Sequence, residues 1–242
     1  MNSTEKTSTK TKIALIGSKG KMGQKILELS KDASWLDQVQ MIAELDSGST
    51  PNDLPSETEV IIDFSGAASS SSWAEKLSAL NNKTPYLICS TGFNADEFSK
   101  IKSQFANRPW AFIPNTSLGI FAFIQCLRGL IAFFNDIKSV EIHDVHHVHK
   151  KDQPSGTALL IKAALSDMLK NKGFPQDINI LSSREGEVIG IHTVIIQRAF
   201  DRLLLTHEAQ DRKLFAQGAL NLAVKLAQKA PREKPYTFDE LL

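Results

Sequence analysis

Apolar positions along the chain follow two different rhythms. Short unbroken runs come first: KIALI over 12–16, Gln40 to Leu45, EVIIDF over 59–64, Pro85 to Cys89, and Trp110 to Ile113. Runs of this kind suit parallel strands covered on both faces. Between them lie stretches with helical spacing: QKILELS over 24–30, Ser71 to Leu80, and Ala95 to Ala106. Strand and helix in alternation predict an α/β fold with a Rossmann-like, doubly wound parallel sheet. Ligands of such sheets gather at the carboxyl ends of the strands. After Gly119 the rhythm changes. Ile120 to Phe134 reads as a strongly apolar helix, Val140 to Val148 as a strand, and Gly156 to Lys170 as a helix ended by Gly173 and Pro175. Ile178 to Leu181, Val188 to Gln197 and Arg202 to Ala209 read as further strands. They predict a second, α+β domain with a mostly antiparallel sheet. Asp211 to Lys229 is an amphipathic helix expected to pack back onto the first domain. The expected division is a disordered polar tail over 1–11, a dinucleotide-binding domain over 12–115 and 213–242, and a substrate and oligomerisation domain over 116–212.

Two stretches interrupt the apolar pattern with chemistry. The first strand runs directly into GSKGKMG, residues 17–23, and then into a helix. Strand, glycine turn and helix in that order form the setting of a dinucleotide-binding turn. Gly17 permits the tight turn, Gly20 the close approach of a pyrophosphate, and Gly23 the helix–strand contact. Asp46, at the end of the second strand, stands where an adenosine ribose is held. The plainer alternatives are a glycine turn without a ligand and an ordinary loop aspartate before Ser47-Gly48.

The second stretch is HHVHKKDQPSGTA, residues 146–158. His146, His147 and His149 are side chains poised to move protons near neutral pH, and Lys150 supplies a cation. Ser155 can cap the helix that follows, and the first-turn N–H groups of Gly156, Thr157 and Ala158 point out of the helix as an anion cradle. A carboxylate-bearing substrate fits that combination. If the strand stays extended, His146, Val148 and Lys150 share one face, with His147 and His149 on the other. The competing readings are a solvated histidine loop and a metal site, for which only Asp144 and Asp152 lie close as acidic ligands.

Composition narrows the partners. With 42% hydrophobic residues the 242-residue chain can bury a substantial core, and its net charge of +1 gives no electrostatic case for nucleic acid or an anionic membrane. No apolar run reaches the roughly 18 residues of a membrane span. The N-terminus lacks the apolar core of a signal peptide. Cys89 and Cys126, each in an apolar segment, are expected to be core residues rather than a disulfide framework. These features point to a cytoplasmic protein.

The chain resembles the dihydrodipicolinate reductase (4-hydroxy-tetrahydrodipicolinate reductase) family of lysine and diaminopimelate synthesis. The resemblance rests on GSKGKMG, VIIDFS (60–65), STGF (90–93), PNTSLG (114–119), HHVHKKDQPSGTA and SREGEVIGIHT (183–193), in that order. It implies hydride transfer from NADH or NADPH to a cyclic, unsaturated imine dicarboxylate, in a homotetramer. It also assigns residues. Gly17, Ser18, Lys19, Gly20, Lys21 and Met22 hold the cofactor pyrophosphate, with Asp46 on the ribose. Cys89, Ser90, Thr91, Ile113, Pro114, Asn115 and Thr116 line the nicotinamide side. His146 and Lys150 donate protons, His147, Gly156 and Thr157 hold the substrate carboxylates, and no metal is expected. The chain departs from the family pattern at Cys89, where glycine is common, at Thr116, where Phe is usual, and in a shorter segment before SREGEVIG. Asp46 is followed by Ser47 rather than by the Arg of NADPH-favouring members, so NADH preference or dual use is expected. The alternatives are a related amino-acid-pathway dehydrogenase, or a non-catalytic nucleotide-sensing or metal-binding protein with ligands at His143, His146, His147 and His149.

Overall fold

Thr11 opens the first strand, so the anticipated tail gives way to structure one residue early. The computed structural model describes residues 10–242; the rest of that tail, residues 1–9, lies outside the described residues. The chain divides into two compact units, one taking the chain up to Thr116 together with Phe215–Leu242, the other Ser117–Leu214.

The first unit holds a parallel sheet built from β1 (Thr11–Ile16), β2 (Val39–Leu45), β3 (Val60–Asp63), β4 (Tyr86–Ile88) and β5 (Trp110–Phe112), in the spatial order β2-β1-β3-β4-β5. Its helices are α1 (Lys21–Leu29), α2 (Ala67–Ala79) and α3 (Ala95–Phe105). Alternation along each strand explains why the runs are apolar throughout. Ile13, Leu15, Val60, Ile62 and Leu87 pack on one face with Ile26 of α1 and with Ala216, Ala219, Leu220 and Ala223 of the C-terminal helix. Ala14, Ile16, Ile61, Tyr86 and Ile88 pack on the other with Trp73, Leu77, Ile101 and Phe105 of α2 and α3. Burying each large apolar side chain contributes roughly 1.5–3 kcal/mol. The strand order reverses between β1 and β3, which makes their carboxyl ends the topological switch point.

The second unit holds α4 (Leu118–Phe133), β6 (Ser139–His146), α5 (Gly156–Asn171), β7 (Ile178–Arg184), β8 (Gly190–Gln197) and β9 (Arg202–Ala209). The final helix, α6 (Lys213–Leu226), follows. The sheet order is β7-β6-β8-β9. The pairs β6–β8 and β8–β9 are antiparallel, and β6–β7, connected through α5, is parallel. One sheet face, with Val140, Ile142, Val194 and Ile196, is covered by Phe123, Leu127 and Ile131 of α4 and by Ile161, Leu165 and Leu169 of α5.

Two expectations need correction. β6 stops at His146, and Val148-His149 form a turn closed by the Lys150 N–H on the His147 carbonyl at 3.1 Å. The residues from His147 to Lys150 therefore do not alternate faces. Cys126 is exposed, although Cys89 is buried. The helix α4 is apolar nearly all round, so hydrophobicity did not mark which of its sides meets the sheet. No helix among the described residues is long and apolar enough to cross a membrane.

Candidate active site

In the first unit, the chain leaves β1 through Gly17 with φ +84°, a left-handed conformation that suits glycine. A Cβ at Gly17 would lie 2.9 Å from the Phe64–Ser65 backbone beyond β3, and one at Gly23 would lie 2.2 Å from the Gly17 carbonyl. The turn is thus pressed onto the switch point and onto its own helix. Gly20 caps α1 without a side chain, leaving Lys19, Gly20 and Lys21 exposed at a helix start with no acidic residue in its first turn. That is a cradle for a phosphate group. Ser18 is buried, and Met22 packs half-buried against the core. Asp46 accepts the Gly48 N–H at 3.0 Å and is paired with Lys19, which holds its carboxyl below the ordinary range.

The loops after β3 and β4 are held by one buried carboxylate. Asp63 accepts the Ser65 N–H at 2.8 Å, the Ser65 hydroxyl at 2.6 Å and the Tyr86 hydroxyl at 2.7 Å. Ser90 lies 3.3 Å from the same carboxylate, and its Oγ accepts the Gly66 N–H at 2.8 Å. Thr91 and Pro114 are exposed and Asn115 half-buried at the strand ends. Three residues expected on the nicotinamide side turn inward instead. The Cys89 and Ile113 side chains belong to the core, and burial pushes the Cys89 thiol pKa up, with Asp63 adding to the effect. The buried Thr116 hydroxyl donates to the Phe215 carbonyl at 2.7 Å.

In the second unit, β6 ends by placing His146 over a buried Asp144. The His146 Nδ1 lies 2.9 Å from Asp144 Oδ1, off the ring N–H direction, and the His192 Nε2 lies 3.4 Å from the same oxygen. Burial alone would raise the Asp144 carboxyl, but His146, His192 and Ser155 hold it far below the usual carboxylate range. Ser155 caps α5 as its sequence position implied, its Oγ accepting the Ala158 N–H at 3.1 Å. Gly156 is exposed at the first turn, and a Cβ there would meet open space. Thr157 beside it is half-buried. Lys150 pairs with Asp152 at 2.8 Å. Partial burial would raise the Asp152 carboxyl, but Lys150 and the Gly156 N–H lower it on balance. His147 faces Arg212, whose Nη2 lies 3.2 Å from its Nε2. Burial first, and then the guanidinium, lowers the His147 pKa and favours the neutral ring.

Asp144, His192, Arg184 and Arg212 complete this site; the sequence named Asp144 only as a possible acidic metal ligand and singled out none of the other three. Arg184 bonds the Lys150, Asp152 and Ser183 carbonyls while its Nη1 lies 3.8 Å from Asp144, so it staples the loop to the sheet. Parity offered a signal for Asp144, which stands two residues before His146 and hence on its face. For His192 the signal was its place in a motif string. The four histidines of the metal reading do not converge: His143 pairs with Glu141 and His149 with Glu187. Among the described residues, Asp144, His146 and His192 bring donor atoms within 4.8 Å of one another.

Comparison with known proteins covers both units. Residues 11–116 match the family described as dihydrodipicolinate reductase, N-terminus, and residues 119–242 match dihydrodipicolinate reductase, C-terminus. A 4-hydroxy-tetrahydrodipicolinate reductase of Clostridium botulinum (strain Eklund 17B / Type B) is 34% identical, covering 96% of this chain and 98% of that relative. One of Syntrophus aciditrophicus (strain SB) is 30% identical, covering 94% and 96%. The solved structure of a dipicolinate-bound dihydrodipicolinate reductase from Paenisporosarcina sp. TG-14 shares the fold. Its TM-score is 0.70 at 19% identity, over 92% of this chain and 96% of that one.

Proposed function

The chain belongs to the dihydrodipicolinate reductase family, and from that premise we propose how its own residues carry out the reduction of 4-hydroxy-tetrahydrodipicolinate to tetrahydrodipicolinate. A nicotinamide dinucleotide supplies the hydride when bound. The Gly17–Met22 turn fits its pyrophosphate, because it ends in a helix N-terminus that Gly20 leaves without a side-chain cap, with exposed Lys19 and Lys21 beside it. Asp46 takes the ribose hydroxyls. Ser90 and the loop ends at Thr91, Pro114 and Asn115 border the nicotinamide, with Cys89, Ile113 and Thr116 shaping that border from beneath.

The observation that carries the substrate assignment is the α5 N-terminus. Ser155 caps it, Gly156 leaves it open, and Lys150 stands by it with an ion pair to Asp152 that a substrate carboxylate can replace. Gly156 and Thr157 receive one carboxylate, and His147, kept neutral beside Arg212, receives the other with that arginine. Hydride addition to the conjugated imine leaves negative charge that a proton must quench. His146 is the donor, imidazole being the side chain most easily poised to give or take a proton near neutral pH. Lys150 supplies the cation that anchors the substrate and its developing anion.

Asp46 disfavours a 2′-phosphate, while Lys19 partly neutralises it, so the cofactor reading is NADH preferred with NADPH tolerated. The outer face of the second sheet exposes Leu181 and Leu204 beside Ile195 and the Thr193–Thr206 hydroxyl pair. That face is read as the contact of a homotetramer. Two free cysteines, one of them exposed, suit the reducing cytoplasm.

The test is spectrophotometric. With the product of dihydrodipicolinate synthase supplied, absorbance of NADH and, more slowly, NADPH should fall. Pyridine-2,6-dicarboxylate should inhibit competitively against that substrate. Absence of nucleotide oxidation with either cofactor would refute the reading.

A further inference from the structure

Asp144 is fully buried, yet the proton-transfer scheme leaves it unused. Its two oxygens divide their neighbours. Oδ2 accepts the Ser155 N–H at 2.9 Å and the Ser182 hydroxyl at 3.0 Å, with Arg184 at 3.8 Å. Oδ1 is left to the two imidazoles, His146 at 2.9 Å and His192 at 3.4 Å. The arrangement follows from strand register. Asp144 on β6 is directly opposite His192 on β8, which is opposite His207 on β9. His146, two residues along β6, stands on the same face. The titratable and charged groups facing Asp144 are thus His146 from its own strand, Arg184 from β7 and His192 from β8, with His207 behind His192. From the start of α5 comes the Ser155 cap, whose Oγ lies 3.2 Å from His192 Nε2.

The ring of His146 has little freedom. Its Nδ1 is sealed from solvent, and a Cβ at Gly190 would lie 2.9 Å from its Nε2, so the β8 backbone closes one side. A carboxylate beside Nδ1 favours the tautomer that carries its proton there, which leaves Nε2 as the nitrogen that exchanges a proton with a ligand.

We propose that Asp144 is a positioning residue of the reduction: its carboxylate fixes the tautomer and orientation of His146, and ties that ring to the capped helix start that receives the substrate. This rests on the reading of His146 as proton donor, and the two are separable by experiment. His146→Gln tests the donor. Asp144→Asn keeps the shape of the side chain and removes its charge. In a protein of unchanged circular dichroism, Asp144→Asn should lower kcat by roughly 10²–10⁴, the range for a misoriented or lost acid. KM for NADH should stay within threefold. The alkaline fall of kcat should move to lower pH, because a general acid without its counter-anion loses its proton sooner.

A merely structural role would lower the amount of folded enzyme and leave that limb in place. If His146→Gln loses turnover while Asp144→Asn keeps wild-type turnover and pH profile, Asp144 does not position the acid. If His146→Gln keeps turnover, the donor reading falls and takes this one with it. Should Asp144→Asn fail to fold, ¹⁵N-edited NMR of the wild-type protein decides, with the His146 signals assigned by comparison with His146→Gln. A neutral ring protonated at Nδ1 supports the proposal, and one protonated at Nε2 overturns it.

Discussion

Each unit of the chain is organised by one buried carboxylate near the carboxyl end of a strand, and the two carboxylates differ in company. Asp63, the last residue of β3, is surrounded by neutral donors: the Ser65 amide and hydroxyl, the Tyr86 phenol and the Ser90 hydroxyl. Burial, reinforced by Asp63, pushes the Tyr86 phenol far above its usual pKa, so it stays a neutral donor. Asp144 has two imidazoles and a guanidinium. A carboxylate among hydroxyls is a fixed anchor that orders loops. A carboxylate among histidines can orient a ring that exchanges protons. The first arrangement suits a cofactor loop that must hold its shape, and the second suits a site that must hand over a proton.

The comparison can be broken from the substrate side by Gly156→Leu. The side chain would enter the open space above the α5 N-terminus, and pyridine-2,6-dicarboxylate inhibition should weaken roughly hundredfold, about 2.7 kcal/mol. Unchanged inhibition in a folded protein would place the carboxylate elsewhere. Lys150→Ala comes next. Loss of a charged hydrogen bond is worth about 1.5–3 kcal/mol, so kcat/KM should fall roughly 10- to 100-fold, through both a lower kcat and a higher KM. An effect on kcat alone would mean that Lys150 meets only the transition state.

How far these sites were legible depended on distance along the chain. GSKGKMG followed a recognisable strand and preceded a recognisable helix, and PSGTA announced its own cap, because both are local devices. Asp63 looked like the end of an apolar run. Its grip on Ser90 depends on β3 and β4 lying side by side, which apolar rhythm does not give. His192 is likewise far from Asp144 in sequence, and only the β6–β8 register unites them. Cys89 and Thr116 sat in motif positions, but which way a side chain turns at a strand end is decided by packing, here against the core and α6. The Lys19–Asp46 pair joins the glycine turn to the end of β2, another tertiary contact.

Stability sharpens the same contrast on a smaller scale. Ser155→Ala removes the α5 cap and should cost about 1 kcal/mol, read as a lower melting temperature. Asp144 has a depressed folded-state pKa, so its contribution is present above the unfolded value of about 3.9 and is lost as pH falls below it. Acid titration followed by near-ultraviolet circular dichroism should show a destabilisation below about pH 4. That component should be missing from a folded Asp144→Asn protein. The smallest effect concerns the cofactor. Lys19→Ala leaves Asp46 unpaired and should raise the NADH-over-NADPH ratio of kcat/KM roughly threefold, the scale of an exposed ion pair. A ratio that moved toward NADPH would show that Lys19 does not serve the phosphate side.

The contrast between the two carboxylates is tested most directly by measuring the pH–rate profile of Asp63→Asn beside that of Asp144→Asn. Asp63→Asn should raise KM for the nucleotide and leave the alkaline limb of kcat where the wild-type protein has it. Asp144→Asn should move that limb to lower pH and leave the nucleotide KM nearly unchanged. Limbs that shift equally in both proteins, or a shift only in Asp63→Asn, would contradict the assignment of one carboxylate to scaffold and the other to positioning the proton donor.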